Sequence, residues 1–328
     1  MKYLVTGGTG FLGRHLVAAI EAAGHDAVPF ARSLGGDVLD ARAVRAAASD
    51  CDGVFHCAGR VSRCPGDAEE LYRVHVNGTK SVLDASAAAG VRRVVVVSTS
   101  AVVGLSEDPA RVATENDAVP VSLIGRFPYY RSKLFAEQVA LGRNREGFEV
   151  LCVNPSLLLG PGDVEGSSTG DVKTFLEGGV LAIFAGGLSF VDVRDAADAL
   201  RLAMDRGRAG ERYLVAACNM TIQDFLQRLA RVSGRPAPWL PLPRSRELAR
   251  FAASIVGRTA AKLGLKAPLD PATAEMAQLF WYVDSSKAER DLGWTARDPN
   301  VTLYETVEDL RARGVVWPRD PQHASAAG

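Results

Sequence analysis

The sequence predicts an α/β protein, a doubly wound parallel sheet joined to a smaller C-terminal α/β lobe. Three observations predict it. Through the first 155 residues, short β-rich apolar runs alternate with longer helical patterns, the signal of repeated βαβ units rather than of a sandwich or a bundle. A tight glycine pattern sits between the first apolar run and the first helical one. After residue 157 the texture changes to glycine- and proline-rich connections before strands and helices return.

Taken in order, the candidate strands are 3–6, 27–31, 53–57, 94–98 and 150–154. Val94-Val95-Val96-Val97 is apolar at every position, as a strand buried on both faces must be. Segment 12–23 places Leu12, Leu16, Ala19 and Ile20 at helical spacing, and 70–89 and 130–141 read the same way. Gly160-Pro161-Gly162, residues 166–170, Gly178-Gly179 and Gly186-Gly187 read as mobile loops. A strand and a helix follow over 190–205 and another strand over 211–217. Thr221 with Asp224 then forms a cap pair opening a helix. Beyond a proline-rich connector at 236–243, Leu248, Phe251, Ala252 and Ile255 share one face, as expected of a helix of the second lobe or of a membrane-surface or partner contact. The tail 318–328 is small and polar and is expected to be disordered.

Composition excludes several classes. The 328 residues hold 38 Lys plus Arg against 38 Asp plus Glu, so no bulk charge invites nucleic acid or an anionic membrane. With 47% hydrophobic residues the chain can bury a sizeable core, and its 23% charged residues without a sustained heptad do not suit disorder or a coiled coil. The five cysteines, Cys51, Cys57, Cys64, Cys152 and Cys218, are scattered with no C-x-x-C pair, which argues against a zinc site or a disulfide framework; no metal is expected. The N-terminus runs directly into Thr6-Gly7-Gly8 with no signal-like apolar stretch, and no segment reaches the length of a membrane span. A reduced, cytoplasmic protein is the expectation.

The sharpest local signal is Thr6-Gly7-Gly8-Thr9-Gly10-Phe11-Leu12-Gly13, placed after a strand and before an amphipathic helix. In a Rossmann-type sheet Gly7 makes the tight turn, Gly10 lets the backbone approach a pyrophosphate, and Gly13 permits close helix-to-strand packing. The backbone from Thr9 through Phe11 and Leu12 opens the helix, whose free N–H groups and dipole favour phosphate. At the end of the second strand, Val28-Pro29-Phe30-Ala31-Arg32-Ser33 has no carboxylate to bind a ribose 2′-hydroxyl. Arg32 can instead pair with a 2′-phosphate and Ser33 can donate to it, so NADP is preferred over NAD. Asp37, followed by Val38, can accept from an adenine amino group or serve simply as a turn residue.

In Tyr129-Tyr130-Arg131-Ser132-Lys133, Tyr129 and Lys133 stand four apart on one helix face. A cation beside a phenol favours the phenolate and lowers a pKa that is ordinarily near 10. The segment Ser98-Thr99-Ser100 puts hydroxyls at a strand's carboxyl end, where α/β sheets bind ligands and where a hydroxyl can share charge developing on a substrate oxygen.

These residues carry a family resemblance. Gly7, Gly10 and Gly13, then Phe55-His56-Cys57-Ala58-Gly59, Asn77-Gly78-Thr79, the segment 98–104, Tyr129 with Lys133, Asn154-Pro155-Ser156 through Gly162, and Phe190-Val191-Asp192-Val193 with Asp195 occur in the order of the extended short-chain dehydrogenases/reductases, the NAD-dependent epimerase/dehydratase family. The ending Trp281-Tyr282-Val283-Asp284 with Leu292-Gly293-Trp294 looks most like the dihydroflavonol reductase and 3β-hydroxysteroid dehydrogenase branch. The resemblance spans nearly the whole chain. It implies that Tyr129 is the proton donor or acceptor and that Lys133 lowers its pKa and holds the nicotinamide ribose. It also implies that Thr99, five residues before Gly104, is the catalytic hydroxyl. Cys57, Ala58 and Gly59 would pass under the cofactor, Ser98, Pro155 and Ser156 would border the nicotinamide, and Asn77 would complete a proton relay or pack a helix.

The implied organisation is a nucleotide-binding domain over 1–156, to which 190–217 returns, and a substrate lobe over 157–189 and 218–317. The expected pocket combines Val102, Val103, 157–159 and the loop 162–179. The implied activity is NADP-dependent interconversion of a ketone and a secondary alcohol on a small or medium organic substrate. A nucleotide-sugar epimerase or dehydratase with retained NAD is the alternative, its diphosphate gripped by cations such as Lys173, Arg235, Arg244 and Arg246. A non-catalytic redox sensor would lose the Tyr-x-x-x-Lys pair that this chain keeps. A homodimer through the helices holding Asn77 and Tyr130 is expected from the family.

Overall fold

The computed structural model describes residues 1–180, 182–241 and 271–316. The amphipathic segment around Phe251, together with Arg244, Arg246 and the tail 318–328, lies outside them. In chain order the elements are β1 (Lys2–Thr6), α1 (Phe11–Ala22), β2 (Asp26–Phe30), α2 (Ala41–Ala48), β3 (Gly53–His56), α3 (Ala68–Tyr72), α4 (Gly78–Ala88), β4 (Arg93–Val97), α5 (Ala101–Gly104), α6 (Val121–Ile124), α7 (Pro128–Leu141) and β5 (Glu149–Pro155). They continue with β6 (Leu157–Leu159), α8 (Gly170–Leu176), β7 (Ala182–Ile183), β8 (Gly187–Asp192), α9 (Val193–Arg206), β9 (Arg212–Val215), β10 (Cys218–Thr221), α10 (Ile222–Ser233), β11 (Leu240–Pro241), α11 (Pro271–Met276), α12 (Ser286–Leu292) and α13 (Pro299–Ala312).

Six parallel strands form the main sheet in the order β2-β1-β3-β4-β5-β9. The chain steps from β1 outward to β2 and then crosses β1 to reach β3, so a switch point opens between β1 and β3 at the carboxyl ends. Strand alternation feeds two cores. Tyr3, Val5, Phe55, Val95, Leu151 and Val153 face Leu16 and Ile20 of α1 and Ala196 and Leu200 of α9. Leu4, Val54, Val94, Val96, Val150 and Cys152 face Val44 of α2 and Val82 and Leu83 of α4. Helices on both faces make this a Rossmann-type doubly wound α/β fold.

A second sheet of three strands, β10-β8-β6, carries its own core of Leu159, Phe175, Phe190, Phe225, Leu229, Leu303 and Val307. Residues 190–217 therefore divide. β8 belongs to this second sheet, whereas β9 extends the main sheet beside β5 and α9 packs on α1. Two-residue strands β7 and β11 pair in parallel. Thr221 caps α10, its hydroxyl accepting from the Asp224 N–H at 3.0 Å. Among the described residues no helix is long and apolar enough to cross a membrane.

Two expectations need correction. The helix expected over 70–89 is interrupted by a π segment at Arg73–Asn77 between α3 and α4, and such bulges redirect side chains by inserting an extra residue into the turn. The glycine-rich stretch after 157 is not loop throughout: it carries α8, and hydrogen bonds hold the residues on either side of that helix. Asp163, 1% exposed, accepts from the N–H groups of Ser167, Ser168 and Thr169 and from two of their hydroxyls. Gly186 and Gly187 donate to the Ala277 and Leu279 carbonyls at 3.1 and 3.0 Å. They are glycine because a Cβ on Gly187 would fall 2.1 Å from the Tyr282 hydroxyl.

Candidate functional site

At the carboxyl end of β1 the chain turns at Gly7, whose φ of +70° suits glycine. Its N–H donates to the Phe30 carbonyl at 2.8 Å and its own carbonyl accepts from Gly10 at 2.9 Å. A Cβ on Gly13 would stand 2.0 Å from the Gly7 oxygen, so the first turn of α1 sits directly on the loop. A Cβ on Gly10 would meet only that same oxygen within 4 Å, leaving its other side open. Phe11 and Leu12 are buried in the first turn of α1. Thr9 Oγ1 and Ser33 Oγ lie 2.9 Å apart, tying this loop to the end of β2. Arg32 begins an exposed 3₁₀ turn there. Asp37 accepts from the Leu39 N–H at 2.9 Å, as a turn residue does, and Val38 lies against Gly78 at the start of α4.

Beyond β3, Cys57 and Ala58 hang from Thr6: the Cys57 N–H donates to its carbonyl at 3.0 Å and the Ala58 N–H to its hydroxyl at 3.4 Å. Burial pushes the Cys57 thiol up to about 12, so it is a neutral wall rather than a nucleophile. Across the sheet, Ser98 and Ser156 are buried, and among the described residues their hydroxyls have no hydrogen-bond partner. Pro155 accepts from the Ser100 N–H at 2.9 Å, which locks the ends of β4 and β5 together. Buried hydroxyls are ordinarily satisfied, so an orphaned pair at a sheet's carboxyl edge is what a bound group would complete. The glycine cradle and these two hydroxyls fit a dinucleotide.

Thr99 and Tyr129 are half-buried and Lys133 is buried, all three at the ends of β4 and α7. Lys133 Nζ donates to the Val97 carbonyl at 2.6 Å. Burial pulls its pKa down to about 8, opposed by the nearby Cys152, Glu137 and Cys57. From the sequence, Lys133 is expected to depress the Tyr129 phenol; here the phenol is instead raised, by burial first and by the adjacent Tyr130 second. Tyr130 packs in an aromatic cluster with Phe127 and with Trp281, whose ring is 5.0 Å away, and burial raises its phenol to about 12.

Val102 and Val103 do not line a pocket. Both are fully buried under the site with Leu123, Ile124, Phe127 and Val283, because the short helix α5 turns them inward. Lys173, on α8, lies within 3.7 Å of Glu177. Asn77 is exposed at the end of the π segment, and among the described residues its side chain makes no hydrogen bond.

Three residues had no role assigned from the sequence. His75, on the π segment, accepts from the Arg60 N–H at Nε2, 3.1 Å away, and its Nδ1 lies 2.8 Å from Ser132 Oγ. Burial holds its pKa down near 3, with Lys133 adding to the drop. Asn154 is fully buried, and its Nδ2 donates to the Thr99 carbonyl at 3.1 Å and to Glu137 at 2.6 Å. Glu137, 1% exposed, is in turn paired with Arg212 at 3.2 Å, so a charged network stands behind the Thr99 turn. The signal for Glu137 was present: it lies four residues after Lys133, on the same face.

The match to known proteins follows this geometry. Residues 3–216 match the model of the NAD dependent epimerase/dehydratase family. The chain is 32% identical to a putative dihydroflavonol 4-reductase of Synechocystis, with 96% of each chain covered. It is 35% identical to the sterol demethylase protein B of Methylococcus capsulatus over 74% of this chain and 78% of the relative. Among solved structures, gox2253 superposes with a TM-score of 0.81 at 26% identity, covering 96% of this chain and 99% of that one. The chain belongs to the NAD-dependent epimerase/dehydratase family, enzymes of the extended short-chain dehydrogenase/reductase type that work through a nicotinamide nucleotide.

Proposed function

We propose that this protein is a cytoplasmic, NADP-dependent reductase that interconverts a ketone and a secondary alcohol on a small or medium organic substrate. The observation that carries the reading is geometric: Thr99 and Tyr129 stand half-buried at the ends of β4 and α7, where Lys133 Nζ is held on the Val97 carbonyl at 2.6 Å and the buried hydroxyls of Ser98 and Ser156 lack partners among the described residues. A phenol held protonated at neutral pH is a proton donor, which suits the reduction direction. When bound, the reduced nicotinamide supplies the hydride.

Each residue then has a task. Tyr129 Oη passes its proton to the carbonyl oxygen, and Thr99 Oγ1 orients that oxygen and shares its developing charge. Lys133 spends one of its three donors on Val97, leaving two for the ribose hydroxyls. The Ser98 and Ser156 hydroxyls border the nicotinamide, and Gly7, Thr9, Gly10 and Gly13 cradle the pyrophosphate. Arg32 and Ser33 hold the 2′-phosphate, and Asp37 and Val38 flank the adenine, with Asn77 exposed beside them. Residues 157–189 and 218–317 supply the substrate side. Similarity over nearly the full length to a putative dihydroflavonol 4-reductase supports a reductase over an epimerase. A dimer would pair the α3 and α7 faces, where the rings of Tyr72 and Phe135 meet and stand exposed.

The test is a panel of ketones and nucleotide sugars assayed with NADPH and NADH through the nicotinamide absorbance. Ketone reduction with a preference for NADPH is expected. Tyr129→Phe should lower turnover by about 10²–10⁴-fold while leaving nucleotide affinity nearly unchanged. Unchanged turnover in that variant defeats the mechanism. Conversion of a nucleotide sugar on a tightly retained NAD, without net oxidation, overturns the reductase reading.

A further inference from the structure

We propose that His75 is a positioning residue that clamps the loop running under the nucleotide to the helical turn carrying Tyr129. This inference rests on the reading of Tyr129 as the proton donor. The clamp is a chain of hydrogen bonds with a fixed direction. The Arg60 N–H donates to Nε2 at 3.1 Å, so Nε2 is the unprotonated nitrogen and Nδ1 carries the hydrogen. Nδ1–H then donates to Ser132 Oγ at 2.8 Å, and the Ser132 hydroxyl donates to the Tyr129 carbonyl at 2.8 Å. Every polar atom in the chain fills a role open to it, the Ser132 hydroxyl accepting one hydrogen bond and donating another.

The same imidazole also sets the phenol's plane. Its ring meets that of Tyr129 edge to face, with centroids 5.6 Å apart and planes at 80°. His75 is 2% exposed, so neither contact competes with water. Two local features let it reach both partners. It stands on the π segment Arg73–Asn77, where the extra residue breaks the regular helical spacing. Gly59, whose added Cβ would lie 3.3 Å from Nε2, allows the loop to close down on the ring. Cys57, Ala58 and Gly59 precede Arg60 directly, so one side chain couples the nucleotide floor to the proton donor. A misplacement of about 1 Å at a reacting group can cost on the order of 10²-fold in rate.

The experiment compares His75→Leu, Ser132→Ala, their double variant and His75→Gln. His75→Leu should lower kcat by about 10–100-fold with a smaller change in KM. The double variant should be no worse than His75→Leu alone, because both act through one chain. Amide hydrogen exchange supplies a readout independent of activity. In His75→Leu the amides of 58–60 and of the first turn of α7 should exchange faster. In Ser132→Ala only the α7 turn should. His75→Gln, whose amide oxygen can accept from Arg60, should restore protection of the loop. A His75→Leu enzyme with wild-type kcat, or additive losses in the double variant, overturns the proposal. If the wild type reduces no carbonyl, the functional reading fails by itself and exchange decides the clamp: unaltered protection in His75→Leu overturns it. If His75→Leu does not fold, exchange in the other two single variants decides: an α7 turn as protected in Ser132→Ala as in the wild type, or a loop left unprotected in His75→Gln, overturns the clamp.

Discussion

Two glycine-rich stretches of this chain, 7–13 and 160–187, place their glycines under different constraints. In the first, Gly10 and Gly13 answer to a neighbour a few residues away, the Gly7 carbonyl, while Gly7, at positive φ, and Gly8 also face Ala58 and Pro29 at the ends of the adjoining strands. In the second, Gly186 and Gly187 answer to Ala277, Leu279 and Tyr282, far along the chain. Asp163 organises the rest of that stretch through hydrogen bonds to 167–169. A glycine whose constraint is local can be read as a motif. One whose constraint is distant looks like a loop until the partner is known.

The largest effect should follow from filling the local constraint. In Gly13→Ala the new Cβ would meet a backbone oxygen at 2.0 Å, which no side-chain rotation relieves. Nucleotide affinity should fall by about 100-fold or more, equivalent to about 2.7 kcal/mol, measured by titrating NADPH fluorescence. Wild-type affinity would mean that the loop does not hold the pyrophosphate.

The same local-versus-distant division decides what was legible. Strands β1 to β5 were readable to within a few residues, because each is a short apolar run bounded by turn residues. So was the pairing of Thr221 with Asp224, since a cap is a contact three residues long. The membership of β8 in a second sheet was not legible, because pairing with β6 and β10 is a choice among partners that no single segment encodes. The π segment at Arg73–Asn77 was hidden by residues that suit an ordinary helix equally well. At the site, Tyr129 and Lys133 are visible in the sequence as a pair four apart on one helix, whereas Thr99 is singled out only by the family resemblance. His75 and Asn154 owe their importance to partners from 15 to 57 residues away. The direction of the Tyr129 shift runs against the sequence expectation for a related reason: it is set by burial within the whole fold and by Tyr130, not by the lysine four residues on.

Filling the distant constraint should give a different phenotype. Gly187→Ala would drive a Cβ into the buried ring of Tyr282, whose hydroxyl is 2.1 Å and whose Cζ is 2.4 Å from it. Overpacking of this kind costs about 1–3 kcal/mol, read as a lower urea midpoint, while nucleotide affinity of the folded protein stays within about twofold of wild type. Adding Tyr282→Leu should recover part of the loss, because the two positions share one contact. Loss of nucleotide binding in Gly187→Ala would show that the two stretches are energetically coupled rather than independent.

That coupling has one visible candidate, and it should be small. Arg63, on the loop following β3, reaches Asp171 of α8 through two hydrogen bonds of 2.9 and 2.6 Å. It bridges the nucleotide side to the second glycine-rich stretch. The geometry is bidentate, which favours strength. However, the two side chains are 41% and 50% exposed, so water and salt screen the charges, and holding two long side chains together costs entropy. A double-mutant cycle with Arg63→Ala and Asp171→Ala should therefore give a coupling energy of no more than about 1 kcal/mol, shrinking further at high salt. A coupling of about 2 kcal/mol or more that survives high salt would mean that the bridge is desolvated in solution. The two stretches would then stand or fall together, and the contrast between a local and a distant glycine constraint would have to be redrawn as one between two ends of a single closed cleft.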